Sequence, residues 1–285
     1  MINGKTRTCG LIGCPVEHTK SPLIHNTLAE YTGIDLAYVP FCVQDGDLQD
    51  AIKGAKALNL LGLNVTVPYK SHVIPFLKDI DPLAKQIGAV NTLVRVDGGY
   101  KGYNTDMPGL YRAMVEDGIK IEGEQILLLG AGGVARAVAL LMAQKKAKEI
   151  VILNRTIQKA KAICDEVSGF YPDVKMKALS LDEFDTLPME KYLAIQATNI
   201  GMYPKVDEAI LEASNFYDRV HTGYDLVFNP EQTKFMKLVK DHGGKSYNGL
   251  KMLLYQGIIA YEYWTDTTVP KEAIQQVYQL LQADA

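Results

Sequence analysis

Short runs of β-branched and aliphatic residues alternate along this chain with stretches whose apolar positions recur at helical spacing. That is the pattern of an α/β protein with mostly parallel strands. Thr8 to Ile12 reads as a strand, and Ser21-Pro22 opens a helix with a hydroxyl at the N-cap and proline at the first helical position. Leu36 to Val43 and Leu61 to Val67 read as further strands, with a helix over Leu48 to Leu58 between them. Asp97-Gly98-Gly99 separates the runs AVNTLVRV and YKGYN, and a glycine-bearing turn there predicts a hairpin that breaks the alternation. After a helix near Asp106 to Glu116 a second series begins: strand Ile126 to Leu129, helix from Gly132, strand Ile150 to Leu153, and further units up to Tyr224 to Phe228. The series contains no internal repeat.

Composition narrows the class of partner. The chain has 285 residues, 47% hydrophobic and 22% charged, enough for two ordinary globular domains. A net charge of −3 supplies no broad basic surface for nucleic acid or an anionic membrane, so a small-molecule partner is expected. The N-terminal segment lacks the charged head and apolar core of a signal peptide, and no apolar run approaches the roughly 18 residues of a membrane span. Cys9, Cys14, Cys42 and Cys164 form no C-x-x-C pair and read as reduced, mostly buried thiols. The expectation is a cytoplasmic enzyme or binding protein. The histidines His18, His25, His72, His221 and His242 are scattered, so no metal site is expected.

The segment ILLLGAGGVARAV sets a glycine-rich turn between an apolar strand and a helix. It fits G-x-G-x-x-G/A as Gly130, Gly132 and Ala135, with Ala131, Gly133 and Val134 between them. Glycines permit the tight turn and the approach of backbone to a pyrophosphate at the helix N-terminus. The next strand ends in Asn154-Arg155-Thr156, where NAD-binding proteins usually carry an acidic residue for the ribose 2′-hydroxyl. Arginine there favours a 2′-phosphate, and hence NADP, by pairing with the phosphate or stacking on the adenine; the plain alternative is a solvated arginine at the helix start. Ahead of this half, GLNVTVPYK places Asn64 and Thr66 on one strand face, with Lys70 just past the strand end. Asn91 and Asp106 also sit at strand or loop ends. Taken singly, each fits a cap or turn former better than a ligand: Asp106, ahead of a helix containing Pro108, reads as an N-cap, and Lys70 as a snorkelling surface lysine.

Taken together, GCPVEHTKSPLIHN, GLNVTVPYK, GAVNTL, NTDMPG, GAGGVAR, NRT and NGLKMLLYQG, in that order, closely resemble the shikimate dehydrogenases over nearly the whole chain. The resemblance implies an N-terminal α/β substrate domain (1–106), a Rossmann dinucleotide-binding domain (107–245), and C-terminal helices (246–285) that return to the first domain. It implies that Thr19 and Ser21 bind the substrate carboxylate, that Asn64, Thr66, Lys70, Asn91, Asp106 and Gln256 hold ring hydroxyls, and that Lys70 and Asp106 are the catalytic pair. Residues 130–135, Asn154, Arg155, Thr156 and Leu226 are the implied NADP contacts, with Gly249 near the nicotinamide. The implied activity is the reversible NADPH-linked reduction of 3-dehydroshikimate to shikimate, in chorismate and aromatic amino-acid biosynthesis, by a monomer or homodimer.

Four positions depart from the usual pattern of that family. Thr19 stands where serine is common, Phe228 replaces a frequent tyrosine, and Asn248 and Lys251 stand where NGLKM would more often read DGLGM. Lys251 places a cation close to the presumed nicotinamide end. The alternatives are a quinate/shikimate dehydrogenase using both NAD and NADP, and a nucleotide-binding regulatory protein without turnover. The glycine-rich turn alone also suits methylenetetrahydrofolate dehydrogenases and glutamyl-tRNA reductases, whose families the first-half motifs do not fit.

Overall fold

The computed structural model describes residues 2–284. The chain forms two compact units, Met1–Arg112 with Met252–Asp284, and Ala113–Lys251. The first contains β1 (Arg7–Gly13), α1 (Ser21–Thr32), β2 (Leu36–Cys42), α2 (Leu48–Ala57), β3 (Gly62–Val65), β4 (Asp79–Ile80), α3 (Pro82–Ile87), β5 (Thr92–Val96), β6 (Gly99–Tyr103) and the start of α4 (Asp106–Glu116). Its sheet runs β2-β1-β3-β5-β6-β4. β1 pairs in parallel with both β2 and β3, while β3, β5 and β6 pair antiparallel in turn. Val96 faces Gly99, so Asp97-Gly98 forms a two-residue hairpin turn, as the Asp-Gly pair predicts.

β1 is buried from Cys9 to Ile12, as expected of a strand covered on both faces. On one side Ile12, Ile52, Leu63, Val65 and Leu93 join a common core. Two C-terminal helices, α9 (Leu250–Thr265) and α10 (Lys271–Ala283), complete this unit. α10 packs on α1, and from α9 Trp264 Nε1 donates to the Leu93 carbonyl at 2.9 Å while Tyr261 and Thr32 hydroxyls meet at 2.6 Å.

The second unit contains β7 (Gln125–Leu129), α5 (Gly133–Gln144), β8 (Glu149–Leu153), α6 (Ile157–Phe170), β9 (Lys175–Leu179), β10 (Tyr192–Gln196), α7 (Ser214–Tyr217), β11 (Val220–Asp225), α8 (Lys234–Asp241) and β12 (Lys245–Tyr247). All strand pairs in its sheet, ordered β12-β11-β10-β7-β8-β9, are parallel. This is the doubly wound order, in which the chain reverses direction across the sheet between β7 and β10 and leaves a crevice at their carboxyl ends. Near-continuous apolar strands such as QILLL and EIVIL follow from burial on both faces.

Three local expectations shift. Helix α1 begins at Ser21, with Lys20 at the N-cap and no side-chain capping bond, because the Ser21 hydroxyl pairs with Thr19 instead. The strand expected over Tyr224 to Phe228 is β11, which ends at Asp225, where the Asp225 carboxylate takes the Val227 N–H at 2.9 Å and turns the chain out of the ladder. Cys9 and Cys164 are buried as expected, but Cys14 is half-buried and Cys42 exposed, since Cys42 ends the edge strand β2. Among the described residues there is no helix long and apolar enough to cross a membrane and no cluster suited to a metal ion.

Candidate functional site

In the first unit the polar side chains collect at the carboxyl end of β3 and the amino end of α4. Lys70 lies in the turns after β3, its carbonyl held by the Val90 N–H at 2.7 Å. Its Nζ donates to Asp106 Oδ2 at 2.7 Å, and the other carboxylate oxygen accepts from Asn91 Nδ2 at 2.9 Å. The Lys70 and Asp106 side chains are 34% and 20% exposed, so the pair is sheltered yet open to a ligand. Asp106 is not the cap of α4: Asn104 Oδ1 reaches the Met107 N–H at 3.3 Å and leaves the Asp106 carboxylate free for Lys70 and Asn91. Asn91 is fixed in turn, its Oδ1 accepting the Thr105 N–H at 2.7 Å. A lysine and a carboxylate so oriented can pass a proton to or from a hydroxyl held beside them.

Asn64 lies beneath this pair, 4% exposed, and uses its full hydrogen-bonding capacity. Its Oδ1 accepts from Tyr38 Oη at 2.7 Å and faces His25 Nε2 at 3.2 Å, while Nδ2 donates to the Asn91 carbonyl at 3.3 Å and Thr92 Oγ1 at 3.2 Å. The structure thus engages Asn64 within the protein, where it braces Asn91. Burial pushes the Tyr38 hydroxyl well above the ordinary tyrosine value. Burial likewise lowers His25 to about 3, so the ring stays neutral and is no acid or base near neutrality. Thr19 and Ser21 hydroxyls lie 3.2 Å apart at the start of α1. Thr66 follows β3 directly, half-buried. Gln256 lies on α9, its Nε2 donating to the Leu253 carbonyl at 2.9 Å. The motif reading assigned no role to Tyr38 and His25; the signal that would have found them is an asparagine in a buried apolar strand, which needs several partners.

In the second unit Gly130, at φ +111°, turns the chain out of β7. A Cβ there would stand 2.7 Å from Thr198 Cγ2, whereas Gly132 and Gly133 have open space above them, as a backbone that must admit a ligand requires. Ala131 and Val134 lie at the surface of this turn, partly and half exposed, and Ala135 is fully buried, letting α5 close on the sheet. The unpaired N–H groups of the first turn of α5 are a ready anion site. After β8, Asn154 Nδ2 donates to the Thr156 carbonyl at 2.9 Å. Arg155 and Thr156 are exposed, and among the described residues Arg155 has no ion-pair partner. Gly249 approaches so closely that a Cβ would stand 2.2 Å from the Leu226 carbonyl oxygen, and its N–H donates to the Val227 carbonyl at 3.0 Å.

Just before Leu226, the buried Asp225 accepts from Thr233 Oγ1 at 2.6 Å and from Gln196 Nε2 at 3.3 Å. Burial raises its carboxyl to about 7 despite these donors. Gln196 Oε1 accepts the Thr198 N–H at 2.7 Å, so one buried network runs from β11 to the residue packed against Gly130. Lys251 is not a free cation: its Nζ lies 2.5 Å from Asp117 and 3.2 Å from Glu116. Asn248 Oδ1 accepts the Leu250 N–H at 3.1 Å and so caps α9.

Known proteins resemble this chain in sequence and in fold. Residues 11–93 match the model of the shikimate dehydrogenase substrate binding domain, 113–217 that of shikimate / quinate 5-dehydrogenase, and 249–277 that of the shikimate 5′-dehydrogenase C-terminal domain. The shikimate dehydrogenase (NADP(+)) of Desulforamulus reducens is 41% identical over 97% of this chain and 96% of its own. Shikimate 5-dehydrogenase from Listeria monocytogenes, solved with shikimate and NAD, is 32% identical, with a TM-score of 0.91 over 98% of both chains. That of Thermus thermophilus, solved with NADP(H) and shikimate, is 29% identical, with a TM-score of 0.84 over 97% of this chain and 100% of its own. With two such units, a Lys70/Asp106 pair in one and a glycine-rich dinucleotide turn in the other, and with relatives this similar along its whole length, the chain belongs to the shikimate dehydrogenase family.

Proposed function

We propose that this chain is an NADP-linked alcohol oxidoreductase that interconverts shikimate and 3-dehydroshikimate. The observation that carries the reading is the Lys70–Asp106 pair at 2.7 Å, held by Asn91 and half-sheltered from water. Oxidation of a secondary alcohol sends a hydride from carbon to an acceptor and a proton from oxygen to a base. Lys70 takes the hydroxyl proton, and Asp106 orients both the ammonium and the substrate hydroxyl. In the reverse direction Lys70 returns the proton to the carbonyl oxygen. Thr19 and Ser21 pair with the substrate carboxylate, and Asn64, Thr66, Asn91 and Gln256 fix the ring hydroxyls, with Asn64 also bonded to the Asn91 carbonyl.

The dinucleotide supplies the hydride acceptor when bound. The residues present suit one: the open glycines at 132 and 133, the free first turn of α5, and Asn154 to Thr156 after β8. Arg155 pairs with a 2′-phosphate, which supports NADP as the favoured cofactor. The close approach of Gly249 to Leu226 fixes the backbone on which the nicotinamide end rests. The same reading places the reaction in chorismate and aromatic amino-acid biosynthesis in the cytoplasm, on the strength of the family. The test is absorbance of reduced cofactor with shikimate or quinate against NADP or NAD. Turnover of shikimate with NADP above the other three combinations is expected. Equal efficiency in all four would replace this reading by the dual quinate/shikimate class, and no turnover in any would leave a nucleotide-binding protein.

A further inference from the structure

We propose that Cys14 and Cys42 form a redox-modification site, a thiol pair that small organic disulfides convert into an intrachain disulfide at the foot of the segment carrying Thr19 and Ser21. Cys14 Sγ and Cys42 Sγ lie 2.7 Å apart, in direct contact. The backbone enforces this nearness from both sides. Gly13 of β1 stands opposite Cys42 of β2, and the Val43 N–H extends that ladder to the Gly13 carbonyl at 3.0 Å. On its other flank the Cys14 N–H donates to the Val67 carbonyl at 3.2 Å. Gln44 Nε2 faces both sulfurs, at 3.5 Å from Cys42 and 3.9 Å from Cys14.

Exposure assigns the order of events. Cys42 is exposed and meets the reagent, while Cys14 is half-buried and is reached through Cys42. The Cys42 thiolate attacks the disulfide R–S–S–R, forming Cys42–S–S–R and expelling one RS⁻. The Cys14 thiolate then attacks the Cys42 sulfur, forming Cys14–S–S–Cys42 and expelling the second RS⁻. The two thiol protons end on the two RS⁻ groups, so the protein loses two electrons and the small disulfide gains them. The first step is the slow one, because the neighbouring Cys14 thiol, burial and Glu17 raise Cys42 above the ordinary cysteine value. The second is intramolecular between groups already in contact, so the mixed disulfide does not accumulate. Cys9 and Cys164 are internal controls: burial pushes their thiols up to about 12 and about 11, which keeps both protonated and inert.

The sulfurs need only a small approach to bond, so the segment from Cys14 to Ser21 keeps its geometry and oxidised protein keeps its activity. The new bond closes a loop between residues 28 apart, which restricts the unfolded chain and raises the melting temperature by roughly 5 °C or more. The experiment treats the reduced full-length chain with oxidised glutathione, follows thermal melting of one portion, unfolds the other in denaturant to alkylate its remaining thiols, and reads intact mass and peptide linkage. The expected result is a single chain two hydrogens lighter with two alkylatable thiols left of the four, a Cys14–Cys42 linked peptide, reversal by dithiothreitol, and the higher melting temperature. The Cys14→Ser variant should instead retain a glutathione adduct on Cys42, and Cys42→Ser should take up no glutathione. Four alkylatable thiols after treatment, a stable adduct on the wild-type chain, or disulfides between chains would each overturn the proposal.

Discussion

Asp106→Asn keeps the shape of the side chain and removes its charge, which isolates what the carboxylate contributes. Asp106 accepts at both oxygens, from Lys70 at 2.7 Å and from Asn91 at 2.9 Å. An asparagine offers one acceptor oxygen, so either Lys70 or the Asn91 amide must face an NH₂ group. The charge-assisted bond lost is worth about 1.5–3 kcal/mol, and partial exposure of the pair favours the lower half of that range. About 2 kcal/mol is roughly a thirtyfold loss of rate. Misorientation of Lys70 adds part of the 10²–10⁴-fold that general acid/base help typically supplies, so a fall in kcat of roughly a hundredfold or more is expected. Because Asn104 and not Asp106 caps α4, the melting temperature should change little. Initial rates at saturating shikimate and NADP measure the effect. A kcat within about threefold of wild type, with the fold intact, would refute the reasoning and leave Asp106 as a surface partner of Lys70.

Arg155→Ala should raise KM for NADP by roughly tenfold to a hundredfold and KM for NAD far less, since only NADP carries the phosphate it meets; equal weakening of both in initial-rate measurements would place Arg155 on the adenine instead. Asp225, raised from 3.8 to about 7, contributes stability that is fully present below 3.8, where both folded and unfolded chains hold the proton, and lost as pH rises through about 7. Urea unfolding should therefore show Asp225→Asn gaining on wild type by several kcal/mol, on the order of 4, between those limits, and a constant difference across that range would contradict it. At His25 the sign reverses: lowered from 6.5 to about 3, it contributes stability present above 6.5 and lost as pH falls through 3, so His25→Gln should unfold with a weaker acid dependence than wild type in the same assay.

Where local chemistry determined the outcome, the sequence was informative. The Asp97-Gly98 pair specifies the hairpin between β5 and β6, and Gly130, Gly132 and Ala135 occupy the turn, the open backbone and the close-packed position that their motif requires. Where a side chain competes with the backbone, boundaries moved. The Ser21 hydroxyl turns to Thr19 and not to its own helix, and Asp225 captures the Val227 N–H and ends β11 early. Partners distant in sequence were the least legible. Asn64 depends on His25 in α1 and Tyr38 in β2, and Lys251 is neutralised by Glu116 and Asp117 at the end of α4, relations that only the folded chain creates.

If Lys70 moves the proton in oxidation of the bound alcohol, Lys70→Met abolishes that transfer. Methionine keeps much of the apolar stem and removes the ammonium that meets Asp106. The measurement is kcat and KM for shikimate, with NADP saturating. A fall in kcat of about 10²–10⁴-fold with a much smaller change in KM is expected. A normal kcat accompanied by a large rise in KM would contradict it, and would make Lys70 a binding residue.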